Sequence, residues 1–365
     1  RQIVGINIKP VAIYLPQFHP IPENDAWWGK GFSEWTNVTA AKPLFKGHYQ
    51  PQLPSGLGYY DLRVAEARKA QAELARQYGI HGFCYYHYWF NGKRLLERPF
   101  EEVLRSGEPD FPFMLFWANE TWSRRWLGEE QEVLIRQEYS AEDDERHADY
   151  LVRAFSDPRY IRVDNKPVFI IYRPLDLPDV QNTIAVIRRK AAAAGMDVVL
   201  AASNSHVAQE DYNRLLQMGF DCLLNFRPQL GALPQFMENS FSWKRFFRNM
   251  IQHARYNGKL KLYSYREALE KMQSWEPADF SHTMPCVFAG WDNTARRGDK
   301  AVVVYGNEPA LFGAELKRVK QKMEKASVND LLFVNAWNEW AEGNHLEPDL
   351  KNGYELLKQL KNVFS

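Results

Sequence analysis

The stretch LLFVNAWNEWAEG (331–343) opens with four apolar residues and ends on a polar turn with two glutamates. An apolar run of this kind, without alternating polar residues, is typical of a parallel strand that is covered on both faces. Seven similar runs precede it, and they are rich in β-branched and aromatic residues. In chain order the eight predicted strands are 11–18, 82–90, 111–119, 167–174, 198–204, 222–229, 285–293 and 331–340.

Stretches with helical periodicity and many charges lie between the apolar runs. The clearest are 61–79, 141–155, 179–195, 309–326 and 353–364. Eight strand–helix pairs in one chain predict a (β/α)8 TIM barrel, with long loops after strands 1 and 6 and a single catalytic domain over residues 1–365. A doubly wound open sheet is the alternative fold. No glycine-rich phosphate-binding turn follows the first strand, which favours the barrel.

The two long connections span about residues 19–60 and 230–283. Connections of this size in a compact domain are usually functional or disordered. The first has three tryptophans and several prolines, so we expect it to fold over the carboxyl-terminal mouth of the barrel and bring Trp27, Trp28, Glu34 and Trp35 near the cleft. The second contains the basic sequence SWKRFFRNMIQHARYNGKLK (242–261), which we predict to be helical.

Composition narrows the function classes. The 46 basic and 45 acidic residues nearly cancel, so no global field points to nucleic acid or to an anionic membrane. No apolar run approaches the ~20 residues of a membrane span. Three widely separated cysteines in apolar stretches predict buried thiols, a reducing compartment and hence the cytoplasm. A signal segment trimmed before Arg1 would instead place the protein in the periplasm or outside the cell. We expect a monomer.

Polar and aromatic side chains collect at the ends of the predicted strands. In a barrel the active site is built from these carboxyl ends and the loops that follow them. Tryptophan and tyrosine are well suited to stacking on sugar rings, and aromatic residues make up 14% of this chain. With the first long loop, the residues that we predict to bind substrate are Gln17, His19, Trp27, Trp28, Glu34, Trp35, His87, Trp89, Trp117, Asn119, Glu120, Trp291, Asp292 and Asn338.

The two glutamates of the opening stretch are the catalytic candidates. Glu339 would end the eighth strand and Glu342 would lie in the next turn, so both can face the cleft. Two carboxyls about 5–9 Å apart are the usual equipment for cleaving a glycosidic bond, and one of them must be protonated. We expect Glu342 to be the more protonated of the two. The alternative is a helix N-terminus whose dipole favours acidic residues.

A second Asn-Glu pair, in WANETW (117–122), offers another assignment. Glu120 would be a third carboxylate that orients a sugar, or the true partner of Glu339. Several other candidates have two readings: His19 and His87 as sugar ligands or core histidines, and Asp292 as a cleft or a turn residue. The sequence has no HExxH, CxxC, GxSxG or Walker motif, so we expect neither a metal nor a cofactor.

Four motifs together resemble the WbsX-like family, which is related to glycoside hydrolase family 99, the endo-α-mannosidases and endo-α-mannanases. They are AIYLPQFHPIPENDAWWGKGFSEWTNV (12–38), GFCYYHYWFNGKRLLERP (82–99), FMLFWANETW (113–122) and FVNAWNEWAEGNHLEPD (333–349). The resemblance covers nearly the whole chain. It implies a (β/α)8 barrel that acts on oligosaccharides or polysaccharides without a metal or organic cofactor.

The resemblance also implies a retaining route. In family 99 one glutamate deprotonates the 2-hydroxyl of the sugar, which attacks the anomeric carbon. A second glutamate, three residues later, protonates the leaving group. Carried over to this chain, Glu339 is the base and Glu342 the acid/base. Ala341 and Asn344 stand where family 99 has histidine and threonine, so the mannose specificity does not follow.

Two other functions remain open at this point. WbsX-like proteins are often labelled glycosyltransferases, which makes a glycosyltransferase or transglycosidase of O-antigen or surface polysaccharide biosynthesis the alternative. The absence of a DxD motif and of a Rossmann half favours hydrolysis or transfer between glycans. The third class is a glycan-binding protein without catalysis, and the presence of both glutamates argues against it.

Overall fold

A closed eight-stranded parallel barrel forms the centre of the protein in a computed structural model. The structure describes residues 6–124, 129–233 and 259–365, and residues 243–244, 246–247 and 250–251 between them. The barrel strands, numbered in chain order, are β1 Lys9–Tyr14, β2 Gly82–Phe90, β3 Phe113–Trp117, β4 Lys166–Ile171, β5 Val199–Ser203, β6 Cys222–Asn225, β7 Thr283–Phe288 and β8 Leu331–Asn335.

Eight parallel ladders join neighbouring strands, and β1 pairs with both β2 and β8, which closes the barrel. The predicted (β/α)8 fold is therefore confirmed. The strands are almost entirely buried, as continuous apolar runs require. The three cysteines are buried free thiols.

One main helix follows each strand. These helices are α1 Ala65–Gln77, α2 Arg98–Ser106, α3 Ala141–Phe155, α4 Val180–Ala193, α5 Tyr212–Gln217, α6 Tyr265–Ser274, α7 Pro309–Lys325 and α8 Glu355–Phe364. Gly79 and Gly195 follow α1 and α4 with φ of 86° and 79°, the left-handed conformation that glycine adopts beyond helix ends. Of the described helices, none is long and apolar enough to cross a membrane.

The first long connection is ordered by two short helices, Pro22–Trp28 and Glu34–Ala40. The backbone N–H of Glu34 donates to the carbonyl of Gln17 at 3.1 Å. The indole N–H of Trp35 donates to the carbonyl of Tyr60 at 2.8 Å. These bonds fix the connection across the carboxyl ends of the strands, so it contributes side chains to the mouth.

The second long connection adds a small sheet beside the barrel. Its strand Lys261–Ser264 pairs in parallel with Val302–Tyr305, which pairs with Trp291–Asp292. The predicted basic helix at 242–261 falls mostly outside the described residues. The connection from β7 to α7 carries a further short helix, Thr294–Arg297, whose Arg296 reaches the mouth.

Candidate active site

A cleft of about 580 Å³ opens at the carboxyl ends of the strands. Its volume falls in the range of small-molecule sites, and its position is the one that barrel enzymes use. Its walls combine aromatic and carboxylate side chains. The aromatic lining residues are Trp28, Phe32, Tyr86, Tyr88, Trp122, Tyr172, Phe226 and Trp291. The acidic ones are Glu34, Glu120, Asp176, Glu339 and Glu342.

Glu339 and Glu342 reach the cleft from a tight hairpin after β8. Strand residues Asn338–Glu339 pair antiparallel with Asn344–His345, and Trp340–Glu342 form one turn of 3-10 helix between them. Gly343 completes the turn with φ of +57°, and a Cβ there would lie 2.9 Å from the backbone nitrogen of Asp292. Both the conformation and the close approach require glycine.

The residues beside Glu339 are fixed to the barrel. The Asn338 side chain accepts a hydrogen bond from the Leu15 N–H at 2.7 Å and donates to the Leu15 carbonyl at 3.0 Å. The Trp340 indole donates to Glu347 at 2.8 Å. Glu347 is buried, forms no ion pair with any described residue and also accepts from Gln71 at 3.0 Å, and burial raises its pKa to about 7. Glu339 therefore lies between two anchored residues.

A single guanidinium holds three carboxylates at the base of the cleft. Arg296 donates through Nε to Glu34 at 2.8 Å and through Nη1 to Glu342 at 2.8 Å, and its Nη2 lies 2.7 Å from the same Glu34 oxygen. The same Nη2 lies 3.5 Å from Glu339 Oε2, and no described residue gives that oxygen a hydrogen bond. Three acidic groups around one cation give the site a net negative charge, which favours protonation of one of the carboxylates.

Burial and repulsion from neighbouring carboxylates raise the pKa of both catalytic candidates. The pKa of Glu339 lies well above its ordinary value because the side chain is desolvated and close to Glu342. The pKa of Glu342 is raised mainly by desolvation, and the attraction of Arg296 opposes that rise. These directions favour a proton on Glu339 over one on Glu342, the reverse of the expected order, which itself stays a prediction. The direct 2.8 Å contact with Arg296 stabilises the ionised form of Glu342.

Of the residues that the sequence predicts to bind substrate, five line the cleft together with the glutamate pair. They are Gln17, Trp28, Glu34, Glu120 and Trp291. The amide of Gln17 donates to the hydroxyl of Tyr88 at 3.2 Å. Glu120 lies 3.1 Å from Arg173 and 3.6 Å from His206. The chain brings these residues together from β1, the first long loop and the ends of β3 and β7.

His87, Trp89 and Trp117 lie outside the cleft lining and pack toward α3. The Trp89 ring stacks on His147 at 4.5 Å and its indole N–H donates to Asp143 at 3.1 Å. The ring nitrogens of His87 and His147 are 2.9 Å apart, and burial lowers the pKa of His87 to about 3. The Trp117 ring meets His147 edge-on at 4.5 Å. A neutral, stacked histidine pair of this kind has a packing role.

The remaining predicted residues surround the cleft without lining it. Asn119 bonds the backbone of Arg173, and Asp292 accepts from His48 Nε2 at 2.6 Å, because His48 Nδ1 already accepts from Leu44. Trp27 packs on Trp122. Trp35 packs on Trp340. His19 is buried, its ring nitrogens have no hydrogen-bond partner in the part of the chain that the structure describes, and burial lowers its pKa to about 4.

The lining residues that sequence reasoning missed include the cation Arg296, Tyr86 and Tyr88 of β2, Tyr172 just after β4, and the charged pair Arg173–Asp176. Tyr86 and Tyr88 alternate along β2 with His87 and Trp89, so the period of two was the available signal. For Arg296 the signal was weak. Arg296 and Arg297 follow the seventh apolar run, but nothing in their spacing indicates that one of them points into the cleft.

Comparison with known proteins places these observations in context. A family model described as glycosyltransferase WbsX matches residues 10–360. Two curated relatives, both named WxcX, come from strains B100 and ATCC 33913 of Xanthomonas campestris pv. campestris. Each is 40% identical over 357 residues, 97% of this chain and 49% of the relative. The chain thus spans about half the length of the curated relatives it matches.

Similar solved structures share the architecture at low sequence identity. A family 99 endo-α-mannosidase from Bacteroides thetaiotaomicron, in complex with bis-tris-propane, gives a TM-score of 0.58 at 13% identity and covers 97% of this chain and 95% of its own. A glycoside hydrolase-like protein gives 0.62 at 15% identity, with coverages of 99% and 95%. At this identity the likeness concerns the fold.

Proposed function

The chain belongs to the WbsX family, and from that premise we propose that it is a carbohydrate-active enzyme that cleaves glycosidic bonds with Glu339 and Glu342. The observation that carries the proposal is a glutamate pair on one anchored hairpin in an aromatic-walled cleft, with Glu339 buried, Glu342 half-buried and the pKa of both raised. A carboxyl kept protonated near neutral pH beside a second carboxyl is the equipment for glycoside hydrolysis.

The most specific form of the proposal is a retaining hydrolase of the family 99 type. Glu339 takes the proton of the sugar 2-hydroxyl while that oxygen bonds to the anomeric carbon. The glycosidic bond breaks, and its oxygen receives the proton of Glu342. Water then attacks the anomeric carbon, gives one proton back to Glu342 and opens the 1,2-anhydro ring, whose oxygen recovers its proton from Glu339. The net reaction is hydrolysis with retained configuration.

The raised pKa of Glu339 suits this role. A hydroxyl is a weak acid, so its base should itself have a high proton affinity once ionised. In the reactive form Glu339 is ionised and Glu342 is protonated, so the proton lies on the side of the leaving group. Aromatic walls such as Trp28 and Trp291 offer flat faces for the sugar rings on either side of the bond.

Transfer between glycans is the second candidate, because the matching family is described as a glycosyltransferase. It needs the same first step, and an acceptor hydroxyl replaces water in the second. The cleft and the glutamate roles are unchanged. Product analysis separates the two outcomes: hydrolysis releases new reducing ends, whereas transfer conserves their number and changes chain length.

The sequence-based expectation of a reaction without metal or nucleotide leads to the first prediction. Purified protein incubated with α-mannans and other bacterial polysaccharides should act equally well with and without a chelator, and no nucleotide sugar should be required. Reducing-end release and chromatographic chain-length profiles measure this. Turnover that is lost with chelator, or that appears only when a sugar nucleotide is added, would move nucleotide-dependent transfer into first place.

The second prediction separates Glu120 from the glutamate pair. Its side chain is 34% exposed and contacts Arg173 at 3.1 Å, so it is hydrated and paired with a different arginine from the one that contacts Glu339 and Glu342. Glu120→Gln should raise KM by less than about tenfold, with little change in kcat, because it removes one binding contact rather than a proton transfer. Asp176→Asn, on the same arginine, is the matched control. If Glu120→Gln abolishes turnover while Glu342→Gln retains it, Glu120 carries the chemistry.

A further inference from the structure

Four exposed apolar side chains lie within nine consecutive positions of the second long connection. Trp243, Phe247, Met250 and Ile251 are 66%, 49%, 45% and 60% exposed. They are four of the nine large hydrophobic side chains that are exposed among the described residues, so the exposure is concentrated rather than scattered. We refer to these four residues as the apolar stripe.

The apolar stripe has helical spacing. Positions 243, 247, 250 and 251 correspond to i, i+4, i+7 and i+8, which share one face of an α-helix. The described residues between 243 and 251 are helical, and the Trp243 and Phe247 rings stack with centroids 5.8 Å apart. An amphipathic face normally packs on the protein core. Here it faces solvent, which marks an interaction surface.

The charge of the surrounding sequence indicates the partner. Residues 243–261 contain six basic residues and no aspartate or glutamate, in a chain whose net charge is only +1. Basic residues together with an exposed tryptophan and phenylalanine are the signature of a helix that lies in a lipid–water interface.

We propose that the apolar stripe and its basic neighbours dock the protein on an anionic lipid bilayer. The stripe is far shorter than the ~20 residues of a membrane span, so the helix lies on the surface. The connection leaves the barrel at the carboxyl end of β6, the end at which the cleft opens.

Vesicle co-sedimentation of the full chain tests this proposal. Protein should sediment with vesicles in which about one third of the lipid is phosphatidylglycerol, weakly with pure phosphatidylcholine, and less as salt is raised. The triple variant Trp243→Ser, Phe247→Ser, Ile251→Ser should bind more than about tenfold more weakly. Lys244→Glu should lower partitioning by at least roughly fivefold, the effect of removing one basic charge near an anionic surface.

The matched control is Tyr59→Ser with Leu350→Ser, which removes apolar residues 53% and 66% exposed elsewhere. It should bind as the wild type does, and circular dichroism checks that all variants are folded. The proposal is overturned if wild type ignores anionic vesicles at low salt, or if the triple variant binds as well as the control. Stripe-dependent dimers in gel filtration, without vesicle binding, would assign the stripe to self-association instead. None of these results depends on the activity of the cleft.

Discussion

Replacing Glu339 or Glu342 with glutamine should reduce turnover of an accepted glycan about 10²–10⁴-fold, the usual contribution of a positioned acid or base. Glutamine keeps the shape of the side chain and its place on the hairpin, but it cannot transfer the proton. Steady-state kinetics on the polysaccharide should show the loss in kcat. Substrate binding by the two variants should persist, since the aromatic walls and Arg296 remain in place.

A change of leaving group distinguishes the two roles. An aryl glycoside with a nitrophenol leaving group needs little protonation, so it should partly restore the first step in Glu342→Gln. It should not do so in Glu339→Gln, because the 2-hydroxyl still lacks its base. Equal rescue of both variants would contradict the division of labour, and rescue of Glu339→Gln alone would exchange the roles. The control is Asn37→Ala, which removes an uncharged side chain from the cleft lining. Gln17→Glu does not serve as a control because it adds a charge to the cleft.

The strands of the barrel could be predicted from sequence because each is covered on both faces and therefore reads as a continuous apolar run. Their ends could not. The runs at 222–229 and 285–293 extend past Asn225 and Phe288, where the ladders stop. Apolar residues beyond these points, such as Phe226, line the cleft rather than the strand layer. Hydrophobicity alone does not separate the two uses of an apolar side chain.

The side-chain direction along β2 explains the main difference at the site. The sequence argument selected His87 and Trp89 because histidine and tryptophan bind sugars. In the structure both pack toward α3, while Tyr86 and Tyr88 line the cleft. Successive side chains of a strand point to opposite faces, so one residue known to face the cleft would have identified the others. When a strand is apolar on both faces, its sequence does not show which of its residues face the cleft.

The protonation order of the glutamates could not be predicted for a different reason. It depends on Arg296, which lies 46 positions before Glu342 and reaches it through a short helix in the β7–α7 connection. Local sequence around NEWAEG shows two acids and two tryptophans, which predicts that both pKa values rise. It does not show which carboxylate receives the arginine. That choice is made by tertiary packing.

Replacing Arg296 with methionine should destabilise the fold by about 3–5 kcal/mol near neutral pH, the usual effect of breaking a buried ion pair. Methionine fills much of the volume but leaves Glu34, Glu339 and Glu342 without their cation. Urea unfolding measures the loss. Arg189→Met, which breaks an exposed pair with Glu145, is the control and should change the free energy of unfolding by no more than about 1 kcal/mol.

The loss in Arg296→Met should depend on pH in a defined direction. The folded-state pKa values of Glu339 and Glu342 already lie above the ordinary 4.5, so the folded protein binds more protons than the unfolded chain above that pH. The contribution of these two groups to the free energy of unfolding is therefore fully present at low pH, and it falls as pH rises through their folded-state pKa values. Removing the guanidinium raises both values further, so the variant should be closer to wild type at about pH 5 than at about pH 8.

Glu34 offers an internal check on the same interpretation. Adding Glu34→Gln to Arg296→Met removes one of the three unpaired charges, so the double variant should recover part of the lost free energy at about pH 8 and little at about pH 5. A loss that is equal at both pH values, or no larger than that of Arg189→Met, would mean that the carboxylates do not depend on Arg296. The raised pKa values would then come from burial alone, and the arginine would have no part in setting the charge of the catalytic pair.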